Sequence, residues 1–158
     1  LDSYITVGDF SGLLSCFDGL PFSHDVFAHT DALVMHIPSH VLHRAQSSDP
    51  FLFPALSVQL ATRARRLYDK LIDVSLFPPQ TRLARLLLEL ARVFGRDRDG
   101  SIQISERVPQ HDIADLLGTS RQWTNKELNA LTCKRIIRMS RRNIEILDEP
   151  KLNEIARI

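Results

Sequence analysis

The stretch that most constrains the fold is Pro109–Leu131, PQHDIADLLGTSRQWTNKELNAL, which predicts two short helices joined by a tight turn. Ile113, Leu116 and Leu117 give the first helix an apolar face, and Ala114 is small enough to let two helices cross closely. Gly118 tolerates the left-handed conformation that ends one helix and turns the chain sharply into the next. The pattern therefore predicts a helix-turn-helix.

The second helix of this pair combines a cap, an inward face and a polar outer face. Thr119 and Ser120 offer side-chain oxygens for capping, and the inward face is Trp123, Leu128 and Leu131. The outer face carries side chains that bond base edges in a major groove: Arg121, Gln122, Asn125, Lys126 and Asn129. DNA binding is the function this face favours. A helical hairpin that binds no DNA uses similar turns and stays the alternative.

The residues that follow, Ile136–Ile146, contain two short β-favouring runs around a basic middle, which predicts a hairpin. A helix-turn-helix followed by a basic hairpin is a winged helix, and Arg138, Arg141 and Arg142 are placed to contact phosphates. The net charge of the whole chain is only +1. Between positions 121 and 142, however, Glu127 alone opposes seven basic residues: Arg121, Lys126, Lys134, Arg135, Arg138, Arg141 and Arg142. This local charge favours a nucleic-acid partner.

The N-terminal 37 residues have the composition of strands. The β-favouring runs are SYITV, LLSCF, DVFAH and ALVMHI, separated by glycines and a proline. Such spacing predicts an antiparallel β-roll or sandwich. A short helix is expected over 38–46. Because the chain opens on Leu1 without a methionine, we expect it to begin within a domain.

A long helix is predicted over Phe51–Val74, where apolar residues recur at steps of three and four. The apolar seam is Phe53, Leu56, Leu60, Ala64, Leu67 and Leu71. A narrow stripe over about three heptads predicts a two-stranded coiled coil, and hence a homodimer. The alternative is a helix that packs on the core of its own domain.

Further elements follow the two prolines at 78 and 79, which end the long helix. A helix is predicted over Gln80–Phe94, with Gly95 as its C-terminal cap. RDRDGS is then expected to be a polar turn and IQI a short strand. Glu149–Ile158 predicts a closing helix.

This order of parts resembles the cyclic-AMP receptor protein and fumarate–nitrate reduction regulator family of bacterial transcription factors. Three segments carry the resemblance: Gly8–Pro38 is similar to the family's phosphate-binding cassette, Pro50–Val74 to its dimer helix, and His111–Leu131 to its helix-turn-helix. The resemblance implies an α+β fold with a partial antiparallel β-roll like that of cyclic-nucleotide-binding domains, a long dimerisation helix and a C-terminal winged helix-turn-helix. The implied domains are 1–48, 49–77 and 78–158.

The resemblance also assigns roles to single residues. Arg121, Gln122 and Lys126 fall where family members place base-reading side chains, although many members have Glu at the position of Gln122. Lys134 and Arg135 stand where relatives usually carry a glycine before the wing. The family's β-roll needs more strand residues than precede the long helix here, so we expect the C-terminal part of a longer regulator.

In the cassette, the resemblance matches Gly12 to a family glycine and Ser23 to the serine that caps the cyclic-nucleotide phosphate. Leu13 replaces the family's ribose-binding Glu, and Phe22 replaces the Arg that neutralises the phosphate. Burying a phosphate anion without that Arg is costly, so we predict that cyclic AMP is not the effector. Another effector, of apolar character, would contact Gly12, Leu13, Leu14, Phe22 and Ser23, or the cassette only transmits structure. No cofactor is evident.

The expected function is that of a cytoplasmic, homodimeric transcription regulator bound to a two-fold DNA operator. An activator would also contact RNA polymerase, for which no motif is present. The alternative is a ligand-sensing or protein-interaction module whose winged helix binds protein. The basic residues of the second helix and wing favour DNA.

An enzyme or metal protein is a third class, suggested by His36, His40 and His43. These histidines lack an acidic HExxH companion, and a metal site needs at least three converging ligands. Cys16 and Cys133 are too few for an iron–sulfur cluster and are expected to be reduced thiols. No nucleophile–base arrangement is present, so we predict a non-enzyme without a metal. No apolar run is long enough to span a membrane.

Overall fold

The computed structural model describes residues 4–105, 108–140 and 143–157. The described elements are α1 (Leu13–Asp18), α2 (Ser39–Ser48), α3 (Leu52–Leu76), α4 (Pro79–Phe94), β1 (Gly95–Arg98), β2 (Ser101–Ile104), α5 (Gln110–Leu117), α6 (Arg121–Cys133), β3 (Ile137–Met139), β4 (Ile144–Ile146) and α7 (Glu149–Arg157). The chain divides into two compact units, residues 4–69 and residues 70–157. None of the described helices is long and apolar enough to cross a membrane.

The unit formed by residues 70–157 contains most of the buried apolar side chains. Pro78 is the N-cap of α4 and Pro79 its first residue, where the missing N–H costs no hydrogen bond. Leu83, Leu87 and Leu90 form one buried face of α4, and this helix packs chiefly against α7. The predicted helix over 80–94 and the closing helix are confirmed.

A four-stranded antiparallel sheet in the order β1-β2-β4-β3 closes this core. Ile102 and Ile137 both pair with Ile146, and Ile104, Ile137 and Ile146 are almost fully buried. Because successive side chains of a strand alternate between faces, the intervening Gln103, Arg138 and Glu145 lie on the opposite face. The sheet thus has one apolar face and one polar face.

The prediction of a simple polar turn at RDRDGS is wrong, because β1 begins at Gly95 and pairs with β2 through Arg98. The turn is only Asp99 and Gly100, both with positive φ, 49° and 85°, as the tightest hairpins require. Gly95 is the residue that caps α4, but in an extended conformation. A Cβ there would lie 2.0 Å from the carbonyl oxygen of Ala91, so only glycine allows so abrupt a passage from helix to strand.

The predicted strands before residue 38 are also wrong. Residues 4–94, all of them described, contain no strand, so the partial β-roll is not formed in this structure. LLSCF lies in α1, where Leu13 and Phe17 are one helical turn apart and Gly12 and Gly19 flank the helix in the left-handed conformation. DVFAH and ALVMHI lack a partner strand among these residues, and strand propensity without a hydrogen-bonded neighbour does not form a sheet.

The long helix is confirmed as α3, but the structure divides its predicted seam. Phe53 packs edge-on against Phe17 with ring centroids 5.1 Å apart, and Leu56 is only 2% exposed. These two residues pack within their own unit, as the alternative interpretation expected. Leu67 and Leu71 are 54% and 56% exposed and remain available to a second chain; Ala64 is exposed and Leu60 half-buried. The short helix predicted before α3 is confirmed as α2.

Candidate nucleic-acid interface

The turn between α5 and α6 is fixed by Gly118 and by the hydrogen bonds around it. Gly118 has φ 62° and ψ 39°, and its N–H donates to the carbonyl of Asp115 over 3.1 Å. The N–H of Thr119 donates to the carbonyl of Ala114 over 2.9 Å. These bonds satisfy carbonyls at the end of α5 that have no partner within the helix. The predicted helix-turn-helix is confirmed.

Ser120 is the N-cap of α6, and its hydroxyl accepts a hydrogen bond from the N–H of Trp123 over 3.1 Å. Thr119 does not cap, because its hydroxyl is bonded to that of Thr124 over 3.0 Å. Thr124 is completely buried, a position that we did not predict for it. The signal was available, since Thr124 lies one helical turn before Leu128 on the inward face. A buried hydroxyl with a partner fixes the start of α6.

The two helices share a small apolar contact. Ile113, Ala114 and Leu117 of α5 and Leu128 of α6 are each at most 5% exposed. Trp123 is half-buried and not fully inward. Burial of this side leaves the opposite side of α6 to solvent.

The structure brings the predicted base-reading residues together on that opposite side. Exposed side chains there are Arg121, Gln122, Asn125, Lys126 and Asn129. The side-chain amide of Asn129 donates to that of Asn125 over 3.2 Å, which orders the middle of this surface. We call these five residues the α6 surface.

Glu127 is the acidic residue of α6, and it is turned towards α4. Its carboxylate accepts a hydrogen bond from the side-chain amide of Gln80 over 3.0 Å. Its charge therefore lies beside α4, while Arg121 and Lys126 are exposed. A surface with cations, amides and no carboxylate of its own suits a polyanion that carries hydrogen-bonding base edges.

The wing is formed by β3 and β4, whose register pairs Arg138 with Glu145. The Arg138 guanidinium donates to the Glu145 carboxylate over 2.8 Å, and the Ser101 hydroxyl donates to the same carboxylate over 2.7 Å. The Ser101 hydrogen bond, with the charge of Arg138, holds the pKa of Glu145 below its usual value. Arg138 is thus already paired within the protein, although its side chain is 65% exposed. Arg141 and Arg142, also predicted to contact phosphates, lie outside the described residues.

Between α6 and the wing the backbone takes an unusual conformation at Arg135. Its φ is 55°, in the left-handed region that favours glycine. The N–H of Arg135 donates to Thr132 and that of Ile136 to Leu131, each over 3.0 Å. This turn explains why a glycine suits the position, and it places Lys134 and Arg135, both exposed, next to the wing.

The predicted effector-contacting residues lie in the unit of residues 4–69 and differ widely in exposure. Leu13 is buried, Leu14 is 58% exposed, and the Ser23 hydroxyl is bonded to the neighbouring His24 ring over 2.9 Å. The ring of Phe22 covers Gly12 so closely that a Cβ there would lie 2.4 Å from it.

A cleft of about 240 Å³ exists in the same unit, beside α3. Its lining residues are Asp9, Val58, Gln59, Thr62, Arg63 and Arg66, none of which the sequence singled out as an effector contact. Among the described residues there is no group of three or more His, Cys, Asp or Glu side chains placed to hold a metal ion. His36, His40 and His43 are exposed.

Comparison with known proteins agrees with this architecture. Residues 81–155 match a family described as the Crp-like helix-turn-helix domain. The chain is 30% identical over 149 residues to a CRP-like cAMP-activated global transcriptional regulator of Mycobacterium tuberculosis. That match covers 94% of this chain, and the chain spans 66% of the length of the relative.

Solved structures share the fold at lower identity. A CooA mutant from Carboxydothermus hydrogenoformans has a TM-score of 0.67 at 22% identity, covering 74% of this chain and 54% of that one. A transcriptional regulator of the CRP/FNR family from Thermus thermophilus has a TM-score of 0.64 at 23% identity, covering 70% and 56%.

Proposed function

Because the chain belongs to the cyclic-AMP receptor protein and fumarate–nitrate reduction regulator family of bacterial transcription factors, we propose that it is a sequence-specific DNA-binding transcription regulator. The observation that carries this proposal is the α6 surface, where Arg121, Gln122 and Lys126 are exposed on one capped helix. In this role α6 enters the major groove, Arg121 donates to a guanine, and Lys134 and Arg135 contact phosphates.

The regulator acts as a homodimer in this proposal. A helix-turn-helix dimer contacts two half-sites about 34 Å apart, so a two-fold operator requires a second copy of α6. The exposed apolar side chains of α3, Leu67 and Leu71 among them, support a seam with that copy. An effector in the N-terminal unit would act by its different affinity for DNA-competent and DNA-incompetent arrangements.

Cyclic AMP is not the proposed effector, although the mycobacterial relative is described as activated by it. Leu13 stands where the resemblance expects a ribose-binding Glu and is buried. Phe22 stands where it expects a phosphate-binding Arg, and its ring occupies the space above Gly12. Two apolar side chains in these places favour a different effector.

The test is fluorescence anisotropy of the purified protein on DNA from its own upstream region, at several salt concentrations, against a scrambled duplex. Preference for the native duplex, with affinity that falls steeply as salt rises, is the expected result. Equal and weak binding to both duplexes at every salt concentration, with and without cell-derived small molecules, would favour the protein-interaction alternative.

The role of Arg121 is tested by Arg121→Ala, with Arg92→Ala on the exposed side of α4 as the matched control. Loss of a guanine contact should cost about 1–3 kcal/mol on the specific duplex and little on the scrambled one. Equal losses on both duplexes would show that Arg121 contacts only phosphates.

The seam is tested by Leu67→Glu, with Arg65→Glu as a carboxylate placed outside the stripe. Burying the new charge between two helices is strongly unfavourable, so light scattering should find monomers for Leu67→Glu and dimers for Arg65→Glu. A dimeric Leu67→Glu protein would contradict the seam.

A further inference from the structure

One arginine of α4 joins the end of α3, the link between α3 and α4, and the end of α7. The Nε of Arg85 donates to the carbonyl oxygen of Ala156 in α7 over 2.8 Å. Its Nη1 bonds the carboxylate of Asp73 in α3 over 2.5 Å, and its guanidinium carbon lies 3.8 Å from the centre of the Phe77 ring in the α3–α4 link. We call these four residues the Arg85 cluster.

The chemistry of the Arg85 cluster needs a guanidinium. Only a planar group with several donors can bond a carboxylate and a carbonyl at once while it stacks on an aromatic face. The side chains of Arg85 and Asp73 are 33% and 28% exposed, so water screens their attraction only in part. The Ala156 carbonyl lies in the last turn of α7, where carbonyls lack helical partners and the helix dipole is negative.

The cluster lies between two surfaces that matter for DNA binding. Asp73 belongs to the same turns of α3 as Leu71 and Val74, each 56% exposed, which continue the proposed dimer seam. On the other side, α4 packs on α5 and α7, and α5 packs on α6. The Arg85 cluster is therefore a direct connection between the end of the seam helix and the body that carries the α6 surface.

We propose that Arg85 is a positioning residue for DNA recognition. It fixes the last turns of α3 against the winged helix, and so it sets the separation of the two α6 helices in the dimer. Separation of recognition helices determines which spacing between half-sites the dimer accepts. The inference rests on the proposed function, and it adds a residue that selects operators without contact to DNA.

The experiment measures binding as a function of half-site spacing. The operator is first selected from random duplexes with the wild-type protein, then remade with zero, one or two base pairs added to or removed from its centre, and as a single half-site. Wild type should lose about tenfold in affinity when the spacing changes. Arg85→Ala should bind the single half-site with the same affinity as wild type. On the full operators, its affinities for the different spacings should differ from one another by no more than about threefold. Arg92→Ala is the control and should keep the wild-type profile.

A second variant keeps the proposal testable if Arg85→Ala folds poorly. Asp73→Asn leaves the bond from Arg85 to Ala156 possible and removes only the charge on α3, and it should flatten the spacing profile in the same way. An unchanged profile for either folded variant would overturn the inference, as would an equal loss on full and half-sites. If wild type itself selects no duplex, the proposed DNA-binding function fails. If wild type selects an operator and the variants keep its spacing profile, only the role of Arg85 fails.

Discussion

The two units of the chain place their apolar side chains in opposite ways. In residues 70–157 the leucines and isoleucines of α4, α5, α6, the sheet and α7 are buried together. In residues 4–69 only Leu13 and Leu56 are buried, and every residue from 17 to 37 is exposed, including Phe27 at 84% and Leu33 at 103%. Both units contain many apolar side chains, but only in residues 70–157 do these side chains bury one another extensively.

This difference separates structure that is determined by residues close together in sequence from structure that needs distant residues. The winged helix is specified by caps, a glycine turn and helical spacing, all of which act over a few residues. A β-roll depends on strands that pair across long sequence separations, and its β-favouring runs form no strand in residues 4–38. Three substitutions test this difference between the two units. Each is compared with a control substitution in the N-terminal unit or at an exposed position.

The largest effect is expected from Leu87→Ala, because Leu87 is fully buried in α4. Removing a buried leucine side chain costs about 2–5 kcal/mol of unfolding free energy. Leu33→Ala, at the most exposed leucine of the N-terminal unit, should change it by less than about 0.5 kcal/mol. Urea unfolding followed by Trp123 fluorescence and by helical circular dichroism gives both values. Comparable losses would mean that Leu33 is buried in solution and that the units do not differ.

A smaller effect is expected from Ser120→Ala, which removes the acceptor for the Trp123 N–H at the start of α6. An N-cap of this kind contributes about 1 kcal/mol. The matched change is Ser39→Ala, since α2 is preceded by Pro38 and has no side-chain cap. The unfolding temperature should fall for Ser120→Ala and stay constant for Ser39→Ala. Equal shifts would show that the Ser120 hydroxyl does not cap α6 in solution.

The smallest effect is expected from Glu145→Gln, with the exposed Glu89→Gln of α4 as control. The pKa of Glu145 is lowered from 4.5 by the Ser101 hydrogen bond and by Arg138. A lowered carboxyl pKa stabilises the fold above the unfolded pKa, and this contribution is lost as the pH falls through the folded pKa. Glu145→Gln should therefore cost about 0.5 kcal/mol at pH 7 and progressively less below pH 4.5. A pH-independent cost would assign the effect to shape and not to charge.

Sequence reasoning predicted the helix-turn-helix, the long helix and the wing strands, because each depends on short-range spacing around Gly118, Ser120 or a repeated leucine. It missed β1, whose residues are mostly exposed, so no alternation of apolar and polar side chains marks the strand. It also missed Thr124 as a buried residue, although its spacing to Leu128 places it on the inward face; what the sequence does not give is Thr119 as the partner of its hydroxyl.

Among the candidate site residues, exposure on α6 was predictable from helical period alone. Pairing was not. Arg138 was expected to be free for phosphates, and its bond to Glu145 depends on the strand register, which the sequence leaves open. Arg85 had no local signal at all, since its partners lie 12 and 71 positions away.

The left-handed backbone of Arg135 lowers the stability of the fold but keeps a positive charge next to the wing. A residue with a Cβ in that conformation is less stable by roughly 1 kcal/mol than one with ordinary φ, and a glycine would relieve the strain. A glycine would also remove a cation beside the C-terminal end of α6, next to the wing. The sequence thus accepts a conformational penalty at the turn between α6 and the wing, where the exposed Arg135 adds a positive charge beside the end of α6.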